Sequence, residues 1–304
     1  MKWLRRFLYL LAFLAVLAIP TYWWLLIETH IPSEGTYAID MAEVRRLADS
    51  LPGDKPSEIR VETVASIDFP RTAIMAGDTW EQDSMPMSSY QLVYADRTVL
   101  IDTGLPDVPD KSQLSMFDAE AYKRVTAALN ATSLIVITHE HFDHIGGLLG
   151  QPNLKQLLGV TKLSKEQVSD ERYMQPLTWP AGALDGYQPL AYDRYAAVAP
   201  GVVLIKSPGH TPGSQLVYVK RADGTEVLFL GDVAWKQRNI DEQRQRARLV
   251  TWWFLNEDRD QVMLELKEFK RLAEAEPNLA QMPGHDQTIL DRFVEKGLLV
   301  KGFK

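Results

Sequence analysis

The sequence predicts an α+β fold, two β-layers packed together with helices outside them in a four-layer αββα sandwich, preceded by one transmembrane helix. Three observations predict it. Short apolar runs of strand length recur in both halves of the chain. Helical stripes accompany them and need a sheet face to cover. The N-terminus carries 21 residues without a charge, Phe7 to Ile27. Residues 1–29 therefore read as a membrane anchor, 30–58 as a linker with a lead-in helix, and 59–304 as one large domain.

The apolar run rises about 31 Å as a helix, close to the roughly 30 Å of a hydrocarbon core. Lys2, Arg5 and Arg6 precede it and Glu28 follows. That asymmetry keeps the N-terminus cytoplasmic and sends the remainder outward, with Tyr22, Trp23 and Trp24 suited to the far interface. The expected location is the inner or plasma membrane, single-pass, with the domain outside the cytoplasm and periplasmic in a bacterium. The rival is a cleaved signal peptide and a secreted protein. Its apolar region would end near Ile19, where no clean small-x-small site stands.

In the linker, HIPSEG and SLPGDKPSE flank a short helical pattern from Asp40 to Ser50. Asp40 suits its N-cap, and Met41, Val44, Leu47 and Ala48 share one face. This reads as a stalk and a packed lead-in. Strands follow at IRVETVAS (59–66), SYQLVYA (89–95) and TVLIDTG (98–104). The stretch from Asp68 to Ser89, with Met75, Trp80, Met85 and Met87, reads as a polar loop, either framing a substrate or irregular surface. A helix from Asp118 to Asn130, with Asn130 as its C-cap, buries Tyr122, Val125 and Leu129 and feeds the strand LIVIT. Ser164 and Gln167 form a capping box, and 172–199 is loop-rich. Strands resume at VVLIK (202–206), QLVYVK (215–220) and EVLFL (226–230). A last long helix, Asn256 to Glu276, uses Val262, Leu266, Phe269 and Leu272 or Ala273, and Pro277 stops it.

Composition narrows the chemistry. A formal charge of -7 offers no basic footprint, so nucleic acid is not an expected partner. Cysteine is absent, which removes disulfides, thiolate nucleophiles and Cys ligands together. Any metal must be held by His and carboxylate. Five of the six His fall in one constellation.

That constellation is centred on LIVITHEHFDHIGG, Leu134 to Gly147. His139 and His141 stand two apart past a strand end, where both side chains point one way if the extended conformation persists. Asp143 and His144 turn toward a second position, and Gly146 and Gly147 permit a tight passage into a helix. One metal could take the first pair and another the second. Each needs more ligands, since zinc favours four or five N/O donors. The candidates are His210 in SPGHTPG, Asp232 in LFLGD and His285 in MPGHD, each beside Gly or Pro. Asp232 is the choice to bridge two metals.

The arrangement resembles the metallo-β-lactamase superfamily. HEHFDH fits that family's HxHxDH motif, His210 its second His motif, Gly231-Asp232 its bridging Asp and His285 its last His, across roughly residues 60 to 290. The resemblance implies the αββα fold and two Zn²⁺ per chain. His139, His141 and His210 would hold one metal, Asp143, His144 and His285 the other, and Asp232 both. His and carboxylate donors also accept Mn or Fe.

Two metals sharing Asp232 can present a bridging hydroxide that attacks a carbonyl or phosphoryl centre. Asp143 is a second candidate catalytic residue, carrying a proton to the leaving group. The ligand set, the gap of 53 residues between Asp232 and His285 and the short chain beyond His285 disfavour thiolate-liganded, flavin-linked diiron, RNA-processing and glyoxalase II relatives. What remains is a compact lactonase-like hydrolase of a small-molecule lactone or other ester. Such relatives often place Tyr three residues past the bridging Asp, where this chain has Trp235. From Arg238 to Phe254 the chain holds Arg238, Arg244, Arg246 and Arg248, then Trp252, Trp253 and Phe254. Trp235, Arg238, Trp252 and Trp253 are candidate substrate contacts, an aromatic wall with an anion-binding edge; the alternative is a solvated helix packed by one edge. Two further readings are a phosphodiesterase or phospholipid-headgroup hydrolase on the same site, and a metal-binding sensor without turnover. The sequence carries no signal for oligomeric state.

Overall fold

Alternation within the apolar strands sets the architecture. In VVLIK, Val202 and Leu204 enter the core between two sheets, while Val203 and Ile205 pack under helices. Successive side chains of a strand point to opposite faces, so a strand apolar at every position must be covered on both. The computed structural model describes residues 2–107 and 110–304. It places β1 (Glu58–Pro70), β2 (Gln82–Val93), β3 (Thr98–Ile101), β4 (Met116–Phe117), β5 (Leu134–Val136) and β6 (Thr161–Lys162) in one sheet. A second sheet contains β7 (Tyr195–Ala199), β8 (Val202–Lys206), β9 (Gln215–Lys220), β10 (Glu226–Gly231) and β11 (Leu279–Pro283). The chain then returns to the first sheet as β12 (Val300–Lys301).

The sheets run β12-β1-β2-β3-β5-β6, with β4 on β1, and β11-β10-β9-β8-β7. Ile59, Val61, Leu92, Val99 and Ile101 meet Val217, Val219, Val227 and Phe229 between them. Helices Ala119–Ala131, Phe142–Leu149 and Leu154–Leu158 cover the outer face of the first sheet. Met41–Ala48 and Arg259–Ala275 cover that of the second. This is the expected four-layer αββα sandwich.

Several local expectations change. Half of the stretch 68–89 is strand, 68–70 and 82–89 on either side of a helical turn Arg71–Ile74 and an irregular segment: β1 and β2 pair antiparallel from Glu58↔Val93 to Pro70↔Gln82. Hydroxyls replace apolar contacts on one side of this hairpin, Ser66 to Ser84 at 2.7 Å and Thr63 to Ser88 at 2.9 Å, which makes it read as loop. Asn130 lies inside its helix, donating to the Thr126 carbonyl at 2.9 Å, and Thr132 is the C-cap. The long helix starts at Arg259, because Asp258 caps it and Asn256 takes a left-handed conformation (φ 53). Leu272, not Ala273, completes its buried stripe. The Asp40 N-cap and the Ser164/Gln167 capping box form as read, and Asp118 caps the helix that follows it.

At the N-terminus, Lys2–Ile27 is helical, 26 residues, long and apolar enough to cross a membrane. Its final turn, Trp23–Ile27, is wound wider than an α-helix. The residues after it do not form a free stalk. The Gly77 N–H donates to the Leu26 carbonyl at 2.7 Å, and Glu28 pairs with Arg248 at 2.6 Å. Tyr37 and Ile39 already belong to the core under the second sheet.

Candidate metal centre

Strand ends deliver the site. Asp102 follows β3, Thr138 and His139 follow β5, His210 follows β8, Asp232 follows β10 and His285 follows β11. Asp143 and His144 sit in the first turn of helix Phe142–Leu149, with His141 at its N-cap. Gly146 and Gly147 serve close packing more than a tight turn. A Cβ on Gly147 would lie 2.0 Å from the Thr103 carbonyl, so the helix seats against that strand end only without one. Gly284 is needed for a similar reason, since a Cβ there would lie 2.4 Å from Asp232 Oδ1.

The seven ligand-type side chains fall into two groups. His139, His141, His210 and Asp232 bring donor atoms within 4.8 Å of one another, and so do Asp143, His144, Asp232 and His285. Asp232 belongs to both. In the first group His141 Nδ1 lies 3.1 Å from His139 Nε2 and 2.9 Å from His210 Nε2. In the second, His144 Nε2 is 3.2 Å from Asp232 Oδ1, and His285 Nε2 is 3.0 Å from Asp232 Oδ2.

This arrangement fits metal ions. Three imidazole nitrogens converging on one point cannot all be satisfied by the single proton His141 Nδ1 can share, whereas a cation satisfies every lone pair. His144 Nε2 and Asp232 Oδ1 are buried with no hydrogen-bond partner. Buried polar atoms are rarely left so. Burial, then the neighbouring His144, holds His139 well below the usual histidine range, which keeps it a neutral ligand. At Asp232 burial favours the neutral acid, but His285, His144 and His139 outweigh it and hold the carboxyl well below its usual range.

The outer nitrogens of four of the imidazoles are occupied. His144 Nδ1 meets Asp102 Oδ2 at 2.8 Å, His285 Nδ1 meets the Pro86 carbonyl at 2.8 Å, and His139 Nδ1 meets the Thr138 hydroxyl at 3.1 Å. Asp102 also accepts from the Thr138 N–H at 2.7 Å. His210 Nδ1 contacts Glu257, which binds the buried Arg246. The Arg246 guanidinium stacks 4.6 Å from the Trp235 ring centre, and the Trp235 indole N–H donates to Asp232 Oδ2 at 2.7 Å. A buried chain thus runs from His210 through Glu257, Arg246 and Trp235 back to Asp232. Such partners fix tautomer and ring orientation.

Above the site lies a cavity of about 470 Å³. His141, Asp143, Asp232 and His285 reach it, and Ile67, Phe69, Met85, Met87 and Phe142 form an apolar wall. Of the sequence-predicted substrate contacts, Trp235 lines it. Arg238 does not: it pairs with Asp78 at 2.7 Å and Glu242 at 2.9 Å beside a different depression. Trp252 and Trp253 also lie outside the lining, 64% and 78% exposed, while their neighbour Phe254 is in it. The arginine cluster is neutralised: Arg244 faces Glu242, Arg246 binds Glu257 and Arg248 binds Glu28. Sequence reasoning passed over Tyr173, Asp102 and Glu257. Tyr173 sits on a single 3₁₀ turn in the loop-rich segment, and only the Asp after TVLI offered a signal for Asp102.

The model of the metallo-beta-lactamase superfamily matches residues 86–285. The chain belongs to that superfamily. It is similar to the N-acyl homoserine lactonase AiiA of Bacillus thuringiensis subsp. kurstaki, 24% identical over 178 residues, which cover 53% of this chain and 68% of that protein. An N-acyl homoserine lactonase of Bacillus cereus is 25% identical over 177 residues, with 53% and 68% covered. Among solved structures, an N-acyl homoserine lactone hydrolase with the product N-hexanoyl-L-homoserine at its catalytic metal center superposes with a TM-score of 0.59. It is 18% identical, covering 78% of this chain and 96% of that one. AidC, a dizinc quorum-quenching lactonase, gives 0.56 at 17% identity, covering 77% and 90%. These likenesses show the fold, and the superfamily model together with the two ligand groups supports a metallo-hydrolase related to lactonases.

Proposed function

We propose that this protein is a membrane-anchored, dinuclear metal hydrolase that cleaves a lactone or other ester outside the cytoplasm. The observation that carries the reading is the sharing of Asp232 by two ligand groups at the floor of an apolar-walled cavity. His139, His141 and His210 would hold one ion, Asp143, His144 and His285 the other, and Asp232 both, with zinc the expected metal. When bound, such ions supply Lewis acidity and a water that is nucleophilic at neutral pH. The water oxygen ends on the acyl carbon, the acyl C–O bond breaks, and a lactone leaves as its ring-opened hydroxy acid.

The chain's own residues place the ester for this reaction. The wall from Ile67 to Phe142 takes the acyl part and limits water. Asp143, half-buried at the cavity edge, would take a proton from the attacking water and carry it to the leaving alkoxide. Trp235 cannot polarise the carbonyl, because its one donor goes to Asp232. Tyr173 can. Asn256 Nδ2 donates to its phenol oxygen at 3.0 Å, and the nearest acceptor for the phenol proton, the Asn256 carbonyl, is 3.4 Å away, so a substrate carbonyl competes for that proton. The phosphodiester alternative drew on the arginine cluster, whose members are ion-paired away from the cavity. The one arginine in the lining, Arg172, is held by Asp170 at 2.5 Å.

The test is hydrolysis by the metal-loaded full chain of paired panels, lactones and acyl esters against phosphodiesters, with His141→Ala as control. Turnover of the carbonyl panel that disappears in the variant is expected. Activity confined to phosphodiesters overturns the substrate class. Tyr173→Phe should lower kcat by about 10²-fold, the scale of one lost oxyanion donor, with KM changed far less.

A further inference from the structure

Three aromatic side chains stand in water beside the mouth of the cavity. Trp252, Trp253 and Phe254 are 64%, 78% and 75% exposed, in the wide helical turn Thr251–Leu255. Phe254 both lines the cavity and is largely exposed, so it marks the mouth. Single exposed apolar residues are ordinary, but three large contiguous ones rimming a cavity are not.

The same turn touches the end of the apolar N-terminal helix. The Trp24 ring packs edge-on against Trp252 with centres 5.4 Å apart, and Arg248, one turn earlier, stacks 4.9 Å from Trp24 while pairing with Glu28. Leu26 enters the apolar cluster that contains Trp235, Met85 and Val250. The helix end is therefore fixed to the rim of the cavity through several side chains and a backbone hydrogen bond. With Lys2–Ile27 spanning a bilayer, that fixes where the mouth must be.

We propose that Trp252, Trp253 and Phe254 dip into the outer surface of the same bilayer that holds the helix, and that the substrate is a long-chain amphiphilic ester or lactone entering the cavity from that surface. The first half rests on the membrane-anchor reading and the second on the ester-hydrolase reading, both given above. Trp and Phe settle at membrane interfaces, where an apolar ring leaves water while polar edges stay hydrated. Trp24 already occupies that level by belonging to the helix end, and Trp252 is its direct neighbour. An acyl chain leaving the bilayer past Phe254 enters a cavity that Leu255, Phe69, Met85 and Met87 line together with the metal-ligand side chains. A water-soluble ester gains nothing from this geometry, whereas an amphiphile is delivered already concentrated and oriented.

The absence of cysteine makes a direct test available. Full-length Trp253→Cys is labelled with a polarity-sensitive fluorophore and reconstituted in vesicles of phosphatidylethanolamine with a minority of phosphatidylglycerol. Ala222→Cys serves as reference, in the exposed β9–β10 turn at the opposite end of the strands from the site. The label at 253 should be shielded from aqueous iodide and quenched by bromine-bearing lipid, and the label at 222 the reverse. Equal access of iodide to both overturns the bilayer contact. In parallel, Trp253→Glu should lower the rate on a long-chain ester in the bilayer by about tenfold, with a short soluble ester unchanged. Both rates falling together overturns entry from the bilayer. Silence on every ester with a shielded label overturns the substrate half with the hydrolase reading and leaves the bilayer contact standing.

Discussion

Glu257 has no direct contact with a substrate-accessible atom, yet it holds His210 in register and is itself held by Arg246. Burial favours its neutral form, but Arg246 and His210 outweigh this and keep its carboxyl below the usual glutamate range. Glu257→Gln should weaken metal binding in the His139–His141–His210 group by about 10- to 100-fold, as loss of such partners does. Chelator competition on the apo protein measures it, with the Asp143–His144–His285 group as the internal reference. Equal weakening of both groups would show a general loosening. His139, His141, Asp143 and His144 were legible in the sequence because one strand end and one helix turn carry them within six residues. Glu257, Arg246 and Tyr173 were not, because a lone Glu, Arg or Tyr has no spacing to betray it until the fold brings it 47 residues back to His210.

At the level of elements, helix Phe142–Leu149 depends on how closely it approaches β3. Gly147→Ala places a methyl against the Thr103 carbonyl, and overpacking of this kind costs about 1–3 kcal/mol. A fall in thermal midpoint together with weakened metal binding is expected, and a variant unchanged in both would contradict the close seating. The helix Arg259–Ala275 buries Glu265, whose carboxyl burial pushes from 4.5 up to about 8 against the opposing Gln261 and Gly209 N–H. A folded-state value above the unfolded one contributes stability that is fully present below about pH 4.5 and lost as pH rises through about 8. Glu265→Gln should therefore gain thermal midpoint relative to the parent at pH 8.5 and show a smaller difference at pH 5.5, read by scanning calorimetry. Three strands of the second sheet, β8, β9 and β10, were legible because both faces are apolar, whereas β7, at the end of the stretch read as loop-rich, and β11 were not. The upper half of the β1–β2 hairpin was not, since Ser66–Ser84 and Thr63–Ser88 hydroxyl pairs hold it together and give no hydrophobic alternation.

The whole molecule couples an apolar helix to a hydrolase sandwich through the rim of its cavity. The sequence showed the helix and the sandwich separately, from a 21-residue uncharged run and from strand runs in both halves. It could not show their contact, because Trp24 and Trp252, or Glu28 and Arg248, lie some 220 residues apart. The arginines of residues 238–248 read as a binding patch, yet three-dimensional pairing with Asp78, Glu242, Glu257 and Glu28 turns them into struts. The central claim is that two metals sharing Asp232 act together on an acyl ester. Its most direct test is elemental analysis of metal alongside lactone and ester hydrolysis on the same samples, parent against Asp232→Asn. The account predicts two metals per parent chain, loss of at least one from the variant, and turnover abolished with it. Two metals retained and ester turnover preserved in Asp232→Asn would contradict it.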